Sequence, residues 1–223
     1  MSFAKGLKGK AAKVWEEGYN HPFVQELGKG VLDKEKFKFY LLQDYLYLLQ
    51  YAKVFASAAV KADTEEIMTA FTKIQYAILA EEMDLHRNYM SEFGITPEEA
   101  EKAKASLYNK TYTANMLAVG YTGSLAQMTA TVLPCAWTYS DWAKRLKAEN
   151  ADKLENNFYK KWIATYSSDD FAATYVWLCD VLDNLTSQMS EKQLENITDI
   201  FISSVEFEYL FWEMAYNRQM SYN

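Results

Sequence analysis

The chain has 223 residues, with 23 Lys and Arg against 30 Asp and Glu, and a formal net charge of −7 at pH 7. That length fits one domain around one core, and the acidic balance argues against a nucleic-acid partner, whose phosphates call for a basic surface. A hydrophobic content of 50% excludes a disordered chain. Two cysteines with no CxxC exclude a disulfide framework, so a reducing, cytoplasmic setting is expected.

Eight Gly and three Pro are few for this length, which predicts long helices rather than many short strands. Lys5, Lys8, Lys10 and Lys13 read as the wet face of a first helix. Asp33 precedes a run of helically spaced apolar residues that reaches Lys61. Thr64, followed by Glu65 and Glu66, caps a helix predicted to continue to Phe93 and to end at Gly94. Thr96-Pro97-Glu98-Glu99 combines a capping box with proline at the first helical position. Helices are then predicted over 107–119, 124–147, 157–166 and 169–186, and Ser190-Glu191-Lys192-Gln193 is a second capping box, opening a helix to Asn217. No linker or repeat divides the sequence, so a single all-α domain over residues 1–223 is expected.

From Thr111 to Ser140 there is no charged residue. A membrane span needs ~20 predominantly apolar residues, and Asn115, Gln127, Gly120, Gly123 and several threonines interrupt this stretch. The expectation is no membrane span, but two helices buried on most sides beside an interior cavity. Aromatics reach 16%, with 17 Tyr, and each buried phenol needs a hydrogen-bond partner. An aromatic-lined pocket is one use for them.

Three positions carry candidate chemistry. Cys135 follows Pro134, which removes a helix hydrogen bond and opens backbone space, and has Thr138 and Tyr139 one turn on. It reads either as a nucleophile or as a small buried hydrophobe; Cys179 reads as the latter. Asp44 shares its helix face with Tyr40, Tyr47, Leu48 and Tyr51, so a carboxylate points among phenols. Burial there is costly without hydrogen bonds, and the residue is either a site acid or a structural one held by tyrosine hydroxyls. Glu208 faces Val205, Phe211, Trp212 and Ala215, whereas Glu206 lies about 160° round the helix. Glu208 is therefore the interior acid and Glu206 the surface one. The histidines are His21 and His86. Glu82 and His86 stand one turn apart, but a di-iron bundle needs two Glu-x-x-His motifs and further acids; no metal is expected, and the pair reads as salt-bridged or capping. A Gly-rich phosphate loop and a Gly-x-Ser-x-Gly elbow are both lacking.

Taken in order, several segments carry a resemblance. They are His21-Pro22-Phe23, Phe37-Lys38-Phe39-Tyr40-Leu41-Leu42-Gln43-Asp44, Glu82-Met83-Asp84-Leu85-His86-Arg87 and Leu133-Pro134-Cys135-Ala136-Trp137-Thr138-Tyr139. Lys161-Trp162-Ile163-Ala164-Thr165-Tyr166, Phe171 and Glu208-Tyr209-Leu210-Phe211-Trp212-Glu213-Met214-Ala215-Tyr216 complete the set. Over essentially its whole length the chain resembles the TenA, or thiaminase II, family of aminopyrimidine aminohydrolases. The resemblance implies a haem-oxygenase-like helical bundle, a homotetramer, with no metal, haem or other cofactor. It implies hydrolysis of 4-amino-5-aminomethyl-2-methylpyrimidine to the hydroxymethyl pyrimidine and ammonia in thiamin salvage, and cleavage of thiamin. Carried onto this chain, it implies Cys135 as nucleophile, Glu208 as general acid/base and Asp44 as the acid that holds the amino-pyrimidine. It further implies Tyr47, Tyr112, Tyr139 and Tyr166 as pocket tyrosines, with Phe211 beside the acid. The segment after Tyr166, often Gly-rich in the family, reads Ser167-Ser168-Asp169-Asp170 here.

Two other readings use the same bundle. An oxidase related to haem oxygenase or to quinone-forming enzymes would need histidine ligands or basic pocket residues, which 111–140 lacks. A non-catalytic regulator would not need Asp44, Cys135 and Glu208 all facing inward.

Overall fold

The computed structural model describes residues 2–221, and every regular element among them is a helix. The chain begins with α1 (Phe3–Lys10), α2 (Ala12–Tyr19), α3 (Pro22–Lys29) and the long α4 (Lys34–Lys61). A helix that changes character midway follows: α5 (Glu65–Ala77), a π-turn (Ile78–Glu82), then α6 (Met83–Glu92). After α7 (Pro97–Lys102) come α8 (Leu107–Thr122), α9 (Leu125–Glu149), α10 (Lys160–Tyr166), α11 (Asp169–Thr186) and α12 (Glu191–Asn217).

Side-chain caps explain most of the starts. Asp33 accepts from the Glu35 N–H at 2.7 Å, Thr64 from that of Ile67 and Ser168 from that of Phe171. At α7 the reciprocal Thr96–Glu99 box forms in full. At α12 only half of the expected box forms: Ser190 gives both its N–H and its hydroxyl to Gln193 Oε1. A complete box stands instead at α9, where the Ser124 N–H donates to Gln127 Oε1 at 2.7 Å and Ser124 Oγ accepts from the Gln127 N–H.

The chain divides into two compact units. The first takes the chain up to Leu32 together with Thr129–Glu213. Its core is a tryptophan cluster: Trp15 meets Trp137 at 5.4 Å and Trp142 at 6.2 Å between ring centroids, and Trp142 meets Trp212 at 6.4 Å. Trp15 Nε1 donates to Asp141 at 2.8 Å, and Lys8 pairs with the other oxygen of that carboxylate. Gly18 is what lets the Trp142 ring lie on α2, since a Cβ there would stand 2.6 Å from it. Nearby, Asn157 donates to the carbonyls of Leu27 and Gly28, and Tyr159 to that of Leu32, holding the chain before α10 against the end of α3.

The second unit takes Asp33–Met128 and the chain from Met214 on. Here α4 packs against α5, α6 and α8. Phe37, Tyr40, Asp44, Tyr47, Tyr51 and Phe55 fall at helical spacing along its buried face. Gln43 ties α8 to it: Asn109 donates to the Gln43 carbonyl at 2.7 Å and the Ser106 N–H to Gln43 Oε1 at 2.9 Å.

Four further expectations are corrected. The first lysine-bearing helix is broken at Ala11 into α1 and α2, although Lys5, Lys10 and Lys13 are exposed as expected. The helix over 65–93 contains the π-turn, an inserted residue that periodicity does not flag. The helix expected from 157 starts at Lys160, because Asn157 caps the preceding turn by accepting from the Tyr159 N–H. Finally, α9 is buried on all sides from Met128 to Ser140, but α8 is not: Thr111, Ala114, Ala118, Tyr121 and Thr122 are exposed. Uncharged residues tolerate water there: the hydroxyls of Thr111 and Thr122 are satisfied by the carbonyls of Leu107 and Ala118 one turn back. Among the described residues, no helix is long and apolar enough to cross a membrane.

Candidate active site

In the first unit, α9 and α12 carry Cys135 and Glu208. Thr131 Oγ1 lies 3.2 Å from Ser204 Oγ, and the Tyr139 and Trp212 rings meet at 5.2 Å. Both pairs are 73 residues apart in sequence, so the two helices run parallel and in register over two turns. Cys135 and Glu208 share that separation and stand midway between the two contacts, each one turn beyond Thr131 and Ser204. The packing of one i±4 row on another thus sets the thiol-bearing position opposite the acid-bearing one. Both residues are buried, Cys135 at 7% exposure and Glu208 at 2%, while Glu206 is exposed. The helix continues through Pro134, which has no N–H for the Ala130 carbonyl. Thr138 does not offer its hydroxyl to the thiol: Oγ1 donates to the Cys135 carbonyl at 3.5 Å.

An aromatic wall adjoins this pair. Tyr139 meets Tyr166 at 4.9 Å and Trp162 at 5.6 Å, Tyr166 meets Phe171 edge-on at 4.9 Å, and Phe211 lies against Trp212. Of the expected site residues, Cys135, Glu208, Tyr139, Tyr166 and Phe211 therefore gather in the first unit. Trp162 and Trp212 join them through ring contacts that helix periodicity alone does not reveal. Cys179, on α11, has no such company: burial first, then the charges of Asp183 and Asp180, pushes its thiol up to about 12. Its thiol is correspondingly harder to ionise than that of a free cysteine.

Asp44, Tyr47 and Tyr112 lie in the second unit. Tyr47 stacks on Tyr51 at 5.4 Å and meets Tyr112 at 5.1 Å. Asp44 is 3% exposed and has two partners. Tyr40, one turn earlier, donates its hydroxyl to Oδ2 at 2.9 Å, and His86 Nε2 stands 2.5 Å from the same oxygen. His86 is the residue that the sequence did not connect to the site. Its Nδ1 faces the Glu82 carbonyl at 2.9 Å, so the expected Glu82–His86 link is made through the backbone. A carbonyl only accepts, so Nδ1 carries a proton, and the carboxylate favours a second one on Nε2. Burial works against that charge, but the adjacent Asp44 charge and hydrogen bond, aided by Glu82, outweigh it and raise the His86 pKa above its ordinary 6.5. His21 is held in the opposite state: Nδ1 accepts from the Phe23 N–H, leaving Nε2–H to donate to Glu213 at 2.9 Å.

A raised folded-state pKa stabilises the fold fully below the unfolded value, and that increment is lost as pH rises through the folded value. The difference in Tm between wild type and His86→Gln is therefore expected to be largest below about pH 6.5 and to shrink toward alkaline pH. Thermal melts across that range check this, and a gap that widens with pH would contradict it. Among the described residues, no cluster of three His, Cys, Asp or Glu side chains is arranged to hold a metal ion.

The all-helical architecture is that of the haem-oxygenase-like fold. A Shewanella denitrificans domain of that fold superposes with a TM-score of 0.73 at 16% identity, covering 96% of this chain and 92% of that one. The chain belongs to the TENA/THI-4/PQQC family, whose profile matches residues 9–218. It is 44% identical over 216 residues to an aminopyrimidine aminohydrolase of Helicobacter pylori, covering 97% of this chain and 99% of that protein. It is 42% identical to an aminopyrimidine aminohydrolase of Halalkalibacterium halodurans, covering 100% of both. The solved structure of a TenA homologue from P. horikoshii OT3 superposes with a TM-score of 0.86 at 29% identity, covering 97% of this chain and 99% of that one.

Proposed function

We propose that this protein is an aminopyrimidine aminohydrolase. It hydrolyses 4-amino-5-aminomethyl-2-methylpyrimidine to the hydroxymethyl pyrimidine and ammonia, and cleaves thiamin by the same chemistry, in thiamin salvage. The observation that carries this reading is the shared register of Cys135 and Glu208 on two parallel buried helices. Full-length identity to two aminopyrimidine aminohydrolases supports the substrate class.

The exocyclic carbon–nitrogen bond is inert until the ring becomes electron-rich. Glu208 protonates a ring nitrogen while the Cys135 sulfur adds to a ring carbon; the thiol proton passes to the exocyclic amine, which leaves as ammonia. Water then adds at the exocyclic carbon, its released proton returns to the sulfur as the carbon–sulfur bond breaks, and the ring nitrogen returns its proton to Glu208. Asp44 accepts from the 4-amino group, and Tyr47, Tyr112, Tyr139 and Tyr166, with Phe211, supply faces and hydroxyls suited to a flat polar ring. The reading extends to a homotetramer in the cytoplasm; exposed Val60, Tyr76 and Tyr121 offer apolar surface for subunit contacts.

Incubating the purified protein with the aminomethyl pyrimidine and measuring ammonia tests the reading. Stoichiometric ammonia and hydroxymethyl pyrimidine are expected. No release above the buffer rate would overturn it.

A further inference from the structure

Asp44 is bonded on one edge only. The Tyr40 hydroxyl and His86 Nε2 both end on Oδ2, whereas among the described residues no hydrogen bond ends on Oδ1, although the residue is 3% exposed. The side chain keeps 4% exposure, so this edge has room to receive a group that brings an N–H or O–H.

The two donors do different work. Tyr40 rides on the same helix as Asp44 and moves with it, while the carboxylate torsion is soft and roughly two-fold. His86 comes from α6, 42 residues away, and supplies a second, independent point of attachment. The ring is braced from behind by the carbonyl of Glu82, the last residue of the π-turn. One inserted residue turns the following helix by about 100°, and this rotation brings His86 to Asp44 in place of a neighbour such as Leu85 or Arg87.

Building on the aminopyrimidine reading, we propose that His86 is a positioning residue: it clamps Asp44 by Oδ2 so that Oδ1 is presented as the fixed acceptor for an exocyclic amino group of the bound ring. His86 does not touch the ring. It acts through Asp44, and that separates it from a residue that merely fills the core.

The test is a double-mutant cycle with steady-state ammonia release, run after wild-type turnover is established. His86→Leu is expected to lose about 10²-fold in kcat/KM, as misplacing a substrate-holding group does. His86→Gln, whose amide can offer a donor near the position of Nε2, recovers part of that loss. In an Asp44→Ala background His86→Leu costs no more than about twofold, because the group it positions is gone. Tyr40→Phe gives a milder loss that vanishes in the same background, and it supplies the cycle if His86→Leu fails to fold. A folded His86→Leu protein with kcat/KM within about threefold of wild type would overturn the proposal. So would an undiminished loss in the Asp44→Ala background. A wild-type protein that releases no ammonia instead overturns the aminopyrimidine reading, and this role with it.

Discussion

Cys135→Ser is expected to lower kcat for ammonia release by about 10³-fold or more, while the product pyrimidine still binds within about threefold of the wild-type Kd. Serine keeps the size and polarity of the side chain but not its nucleophilicity: a free thiol titrates near ~8.5 and yields some thiolate at neutral pH, whereas a hydroxyl without a base yields almost no alkoxide. No Lys, Arg or His lies among the Cys135 neighbours within one turn on α9, and the acid in register with it is Glu208. The hydroxyl of the variant would therefore have little activation, and turnover falls with binding spared. Cys179→Ser is the internal control. That thiol is held up at about 12 by burial and by Asp183 and Asp180, so its replacement should leave turnover near wild type. Ammonia release gives kcat, and quenching of tryptophan fluorescence by the product gives Kd. A Cys135→Ser protein keeping a tenth of wild-type kcat would remove the cysteine from the chemistry.

How far these residues could be read in advance depends on the range of the interaction that fixes them. Helical spacing alone turned Asp44 inward on α4, and separated buried Glu208 from exposed Glu206 on α12. The Thr96–Glu99 box is equally local, and so is Ser124–Gln127, whose spacing was there to be read. The alignment of Cys135 with Glu208 is different in kind. It depends on how α9 lies along α12, and the contacts that set it, Thr131 with Ser204 and Tyr139 with Trp212, join residues 73 apart. The Asp44–His86 pair was hidden twice over. It spans 42 residues, and it depends on a π-turn written in Ile78-Leu79-Ala80-Glu81-Glu82, which has no Gly or Pro to mark it. The wet face of α8 misled in the other direction, because charge is a sufficient sign of exposure and not a necessary one.

Glu208→Gln is expected to lower kcat by about 10²- to 10⁴-fold, the usual reach of a general acid/base, while Glu206→Gln stays within about twofold of wild type. The two substitutions make the same chemical change, two residues apart on one helix. They differ in what surrounds the carboxylate. Glu206 is solvated and its loss alters little. Glu208 is 2% exposed, and a glutamine there keeps the shape but can neither give a proton to a ring nitrogen nor take one back. Stability separates this role from a structural one. Glutamine keeps the shape of the side chain and a carbonyl oxygen that accepts hydrogen bonds, so Tm should change little. Turnover lost while Tm holds is what a carboxylate retained for proton transfer produces. A fall in Tm in step with the fall in kcat would instead make Glu208 a structural acid, and a larger loss in Glu206→Gln would move the acid/base role to the exposed face of α12.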